Sequence, residues 1–313
     1  MLKACVGGYV GTGGLHPALL DAARESLAEA KASGGVQDGY VARCGDDLAL
    51  ILLHEGAEDG VRALGRDAFK RSGAVGLKLG QHLAPTNGGP PIQSVRLPLE
   101  LRSSEPVLCF LADKAGPGAW NVYLYRVFAD PFNTPNLVTD PQLRQGFRFT
   151  VFDRREGRDR SYDLPGELYE LLAEAGSPDR YTITEVRSRA SGALAAVAST
   201  GSDPALVVRA ESPFPAVGEV LEAFAFPYAV TGWLEGSYVG PLMPVSTSDE
   251  TSTRFDGPPR AIGLGFQVAG DRLVGPRDLL GDRAFEDVRR QALQAAEYLR
   301  RHGPFSPHRV SRA

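Results

Sequence analysis

The sequence predicts a mixed α/β protein built of layered sheets covered by helices. Three observations support this fold class. Short apolar or alternating segments recur from one end to the other, and amphipathic helical segments lie between them. No repeat, low-complexity tract or linker divides the chain, whose 313 residues suffice to bury a sizeable core as one large domain.

The elements can be justified in order. Residues 3–10 read as a strand, followed by a Gly-rich turn at 11–14. His16-Pro17 opens an amphipathic helix to about Ala32, with proline in its first turn and Gly34 just past its end. Segments 36–44 and 48–53 read as strands flanking Gly45-Asp46-Asp47. A helix from about Glu58 to Ser72 follows, then a polar, Pro/Gly-rich loop from Ala84 to Pro91. Segments 93–101 and 106–112 read as paired strands. Further strands are expected near 146–152, 180–189 and 205–210, and helices near 166–175, 216–225 and 283–301.

Composition narrows the function classes. Net charge is −4 with no block of basic residues, so neither nucleic acid nor an anionic membrane is an expected partner. Lys3, Gly7 and Gly8 interrupt the N-terminal apolar run, which does not read as a signal peptide. No apolar stretch approaches the roughly 20 residues of a membrane span. Three cysteines make no disulfide framework and suggest a reducing interior. A soluble cytoplasmic protein with a small-molecule substrate is the expectation.

The strongest local chemical signal is Asp46-Asp47. Adjacent carboxylates repel unless hard cations such as magnesium neutralise them. Gly-Asp-Asp is also a common hairpin turn, and local sequence leaves both readings open. Asp113 and Lys114 end the apolar run VLCFLADK, either as functional groups or as a solvated strand terminus.

CGDD at 44–47, ADK at 112–114, ADPFNTP at 129–135 and EAFAFP at 222–227 form a series. It continues with GPLMPVS at 240–246, RFDGPPR at 254–260 and RRHGPFSPHR at 300–309. Together they resemble the fructose 1,6-bisphosphate aldolase/phosphatase family over nearly the whole chain. The resemblance implies a four-layer α-β-β-α sandwich, assembly as a homo-octamer, and magnesium as cofactor. It implies that Asp46, Asp47, Asp113 and Asp203 hold metal, with Gln81 at a metal-shell position. Lys114 matches a substrate-phosphate contact and Asp256 a substrate-contacting carboxylate.

Departures from the family pattern cluster in the implied pocket. Cys5 and Thr12 stand where the family has an Asp and a ligand His. Ala198 and Gly201 replace its proton-transferring tyrosine and Schiff-base lysine, and no lysine follows Lys114. Glu235 stands where an arginine would face phosphate, and the phosphate loop is shortened to Pro85-Thr86-Asn87-Gly88-Gly89. Without an amine at 201, no iminium forms there; Lys78, beside Gln81, would need special activation to replace it.

The expectation is therefore a magnesium-dependent hydrolase acting on a small sugar phosphate or polyol, its Schiff-base aldolase activity lost. Asp46, Asp47 and Lys114 would carry catalysis. One alternative is a repurposed enzyme using Cys5 and His82, as nucleophile and base or as softer metal ligands. Cysteines in apolar strands are also ordinary packing residues. The other alternative is a non-catalytic paralogue serving as an assembly or regulatory subunit.

Overall fold

A proline that cannot donate and a histidine that can accept start the first helix. Pro17 stands at the opening position, and the His16 side chain accepts a hydrogen bond from Ala18 N at 3.1 Å. A computed structural model describes residues 1–8, 14–56, 58–81, 91–99, 104–211, 213–233, 238–252 and 257–302.

In chain order the elements are β1 (Leu2–Cys5), α1 (Pro17–Ala32), β2 (Asp38–Cys44), β3 (Asp47–Leu53), α2 (Glu58–Lys78), β4 (Gln93–Ser94) and β5 (Glu105–Asp113). Then come α3 (Asn121–Phe128), α4 (Asn136–Thr139), β6 (Phe147–Asp153), β7 (Arg158–Asp163), α5 (Leu168–Ala175), β8 (Tyr181–Ser188), β9 (Leu194–Ala198) and β10 (Ala205–Arg209). The last are α6 (Val217–Glu222), β11 (Ala229–Trp233), β12 (Tyr238–Pro241), β13 (Met243–Pro244), β14 (Arg260–Ala269), β15 (Arg272–Asp278) and α7 (Glu286–His302).

Two sheets form the centre. The first has the order β2-β3-β1-β4; the second runs β13-β14-β5-β10-β9-β8-β6-β7, with β15 added alongside β14. The period of two along a strand assigns each side chain to a layer. On β3, Leu48 and Leu50 face outward and pack with Leu19, Ala23 and Phe69 of α1 and α2, whereas Ala49 and Ile51 face inward. On β5, Cys109 and Leu111 meet that inward face, and Phe110 turns away to pack with Trp120, Tyr123 and Phe224 under α3 and α6. Helix, sheet, sheet and helix therefore stack in four layers, the α-β-β-α sandwich that the family resemblance implies.

Several expected elements are corrected. Helix α2 continues to Lys78 rather than ending near Ser72, because Gly73 stays helical instead of taking a left-handed terminating conformation, and Gly76 does not end it either. Gly76 is buried where the two helices touch, with room for a Cβ only at ordinary contact distance from Leu19. Among the described residues, segments 93–99 and 106–112 do not pair with each other. Residues 93–94 join β1 in the first sheet, while β5 lies between β10 and β14 in the second. Pro98 lacks the N–H a ladder needs, and its carbonyl instead accepts from Arg209. Strand β14 was not expected, since Gly263 and Gly265 interrupt its apolar pattern. A Cβ on Gly263 would lie 2.8 Å from the Phe110 ring, so the strand needs glycine there. Edge strand β7, RDRSYD, is mostly charged and carries no apolar alternation to detect.

Candidate active site

The β2–β3 hairpin delivers the paired carboxylates. Gly45 takes φ +60 at its turn, a left-handed conformation suited to glycine, and Asp47 starts β3 directly opposite Cys44. On the other side of β3, Asp47 is the register partner of Cys5 at the end of β1. This double pairing brings Cys5 beside the turn. Its thiol lies 3.3 Å from Asp46 Oδ2, and Cys5, Asp46 and Asp47 offer ligand atoms within 4.8 Å of one another.

The second sheet supplies the other carboxylates. Asp113, at the end of β5, reaches the same turn: a Cβ on Gly45 would lie 2.1 Å from its Oδ1. Asp203 sits in the β9–β10 turn with φ +50. Its Oδ1 accepts from Ala115 N at 2.8 Å, and its own N–H donates to the Ala115 carbonyl at 2.7 Å. Lys114 lies between these two anchors, buried and with φ +58.

One residue that sequence reasoning did not place in the site is Lys3. Its side chain is 1% exposed; its ammonium pairs with Asp47 Oδ2 at 2.5 Å and donates to the Asp203 carbonyl. Burial works against that charge, but the Asp47 and Asp203 carboxylates outweigh it and hold the lysine pKa above its ordinary value. A lysine inside a buried four-residue strand was the available signal.

Burial still raises Asp47, with Lys3 offsetting it only in part, and the other carboxylates are raised as well. Burial and the neighbouring Asp47 push Asp46 upward. Burial and repulsion from Asp203 push Asp113 well above the carboxylate range. Burial pushes Asp203 up to about 6, against the pull of Lys3. A buried, under-neutralised set of oxygen donors fits a hard divalent cation. The Cys5 thiol, pushed up to about 12 by burial and by Asp46, is held protonated, which argues against a thiolate nucleophile.

Other sequence-predicted residues fall as follows. Gln81 follows α2, and its carboxamide O and N are buried without a hydrogen-bond partner among the described residues. Its Oε1 lies close to the Gly76 position, which also borders the Val6 carbonyl, one residue beyond Cys5. Lys78 is exposed on the last turn of α2. Cys44 and Cys109 are fully buried between the sheets. Thr12, His82, the 85–89 loop, Glu235 and Asp256 lie outside the described residues. No helix among the described residues is long and apolar enough to cross a membrane.

Comparison with known proteins decides the family. A family model described as fructose-1,6-bisphosphatase matches residues 1–313. The chain belongs to the fructose-1,6-bisphosphatase family. Similar relatives carry the name fructose-1,6-bisphosphate aldolase/phosphatase. That of Ignicoccus hospitalis is 46% identical over 334 aligned positions, covering 99% of this chain and 86% of the relative. That of Methanothermobacter marburgensis is 45% identical, covering 99% and 92%. That of Moorella thermoacetica is 44% identical, covering 99% and 87%.

Proposed function

We propose that this chain is a magnesium-dependent phosphatase of a small sugar phosphate or phosphorylated polyol, without Schiff-base aldolase activity. The observation that carries the reading is the convergence of four carboxylates from two sheets, all held above their ordinary pKa chiefly by burial. Asp46, Asp47, Asp113 and Asp203 would hold the metal, with the unpartnered Gln81 carboxamide available to orient a ligand. When bound, magnesium supplies Lewis-acid stabilisation of charge developing on a phosphoryl group.

The chain's own residues do the rest. Lys114 brings a positive charge beside Asp113, suited to neutralising a phosphoryl oxygen. Asp256 hydrogen-bonds substrate hydroxyls. Lys3 opposes the effect of burial on Asp47 by pairing with it. Loss of aldolase chemistry rests on position 201, where glycine offers no amine, and on the absence of lysine from 115 to 313. Lys3 does not replace it, since its ammonium is paired and protonated. Assembly as a homo-oligomer belongs to the same proposal.

Phosphate release from a panel of sugar phosphates, fructose 1,6-bisphosphate included, with and without magnesium, tests the reading. Magnesium-dependent release supports it and names the substrate. Silence across the panel defeats it in favour of a non-catalytic subunit.

A further inference from the structure

The turn that carries Asp203 is gripped from the opposite sheet. Lys3 and Gln93 are register partners on the neighbouring strands β1 and β4. Both side chains cross the gap between the sheets to the same short segment. Lys3 donates to the Asp203 carbonyl while paired with Asp47. Gln93 Nε2 donates to the Ser202 carbonyl at 2.7 Å, and Gln93 Oε1 accepts from Ser199 Oγ at 2.6 Å. Ser199 Oγ in turn accepts from Ala205 N at 2.9 Å, closing the turn on itself.

Gln93 also fills the space over Gly201, where a Cβ would lie 2.6 Å from its Cδ. From behind, Trp120 Nε1 donates to the Pro204 carbonyl at 3.0 Å. A left-handed aspartate is unfavourable by itself and persists only where surrounding contacts over-determine it. Asp203 has that conformation, and Lys3 and Gln93 supply the contacts that come from the sheet bearing Asp46 and Asp47.

We propose that Lys3 and Gln93 are a cross-sheet positioning pair. They clamp the 199–204 turn so that Asp203 of the second sheet is held against the Asp46–Asp47 hairpin of the first, and thereby set the divalent-cation affinity of the joint site. The affinity consequence rests on the metal-dependent reading above; the clamp itself does not. Partners that orient metal ligands typically carry about 10–100-fold in affinity.

The test uses the full chain with Gln93→Leu and Lys3→Met. Amide hydrogen exchange over residues 199–205 is followed in metal-free protein, and Mn²⁺ binding is followed by calorimetry. Gln93→Leu changes no charge and leaves the Lys3–Asp47 pair intact. The expected result is faster exchange at Asp203 and Ala205 and Mn²⁺ binding weakened by about tenfold, the low end of that range. Lys3→Met separates geometry from charge: removing a cation tightens metal binding on Coulomb grounds alone, whereas loss of the clamp weakens it. Unchanged exchange in a folded Gln93→Leu variant, or tighter Mn²⁺ binding in Lys3→Met, overturns the proposal. If the wild-type chain takes no Mn²⁺, the metal-dependent function falls together with the affinity consequence, and the exchange rates alone decide the clamp.

Discussion

Replacing Gly45 by alanine should damage the site from a position that carries no functional group. Two separate costs arise. Gly45 has φ +60, and a left-handed conformation costs a residue with a Cβ about 1–2 kcal/mol. The added methyl would also lie 2.1 Å from Asp113 Oδ1 and 2.5 Å from its Cγ, so the buried carboxylate must move. Overpacking of this kind costs a further ~1–3 kcal/mol. The sum is about 2–5 kcal/mol, which at ~2–4 °C per kcal/mol lowers the melting temperature by roughly 4–20 °C. Gly34→Ala provides the control, because Gly34 has φ +74 and nothing within 4 Å of its Cβ position. It bears the backbone cost alone and leaves Asp113 in place. Thermal melts of both variants and Mn²⁺ titration of both should therefore diverge: Gly45→Ala melts lower and binds the ion more weakly. Equal melting temperatures and equal ion affinities would refute the placement of Asp113 against the hairpin.

Asp46→Asn and Asp47→Asn should move metal-free stability in opposite directions. The first relieves a carboxylate disfavoured by burial and by its neighbour, so the melting temperature rises. The second strands the buried Lys3 ammonium, a loss on the order of 3–5 kcal/mol, so it falls. Matching shifts in both would contradict the pairing. Mn²⁺ affinity should decline as pH falls through about 6, where Asp203 takes up a proton that competes with the ion. The same carboxyl titrates near ~4 in the unfolded chain. The folded state therefore binds its proton first, and this group adds stability to metal-free protein as pH falls from 7 toward 4; an Asp203→Asn variant should lose this group's share of both dependences, leaving that of Asp46 and Asp113. Borohydride treatment in the presence of dihydroxyacetone phosphate should give no covalent adduct by mass spectrometry, and an adduct on Lys3, Lys78 or Lys114 would overturn the loss of amine chemistry.

What was legible in the sequence was what local chemistry dictates. The first helix could be bounded from His16, Pro17 and Gly34 because capping is decided within a few residues. The Gly45-Asp46-Asp47 turn could be placed because a left-handed glycine between two apolar runs has few other uses. What escaped depends on contacts between distant segments. Strand β14 was hidden because its glycines are dictated by Phe110 and Leu279 across the packing rather than by strand propensity. The pairing of 93–101 with 106–112 was a reasonable inference from adjacency, yet the two segments belong to different sheets. Lys3 was visible only as an interruption of an apolar run, and Gln93 gave no signal at all. Their roles exist only once β1 and β4 lie side by side against the β9–β10 turn.

The same dependence separates the proposed metal ligands on the strands from position 201. Asp47 is fixed by two ladders, opposite Cys44 on β2 and Cys5 on β1, and Asp113 is fixed by its pairing with Arg260 on β14. Displacing any of these positions would mean breaking strand register, which flips whole rows of core side chains to the wrong face. Position 201 carries no such burden. It lies in a turn whose ends are held by β9 and β10, so a side chain there can be lost without disturbing a ladder. The space it would take is filled by Gln93, whose hydrogen bonds to Ser199 and Ser202 tie the turn to the first sheet. Strand pairing thus fixes where Asp47 and Asp113 stand, whereas the residue at 201 is fixed by no ladder.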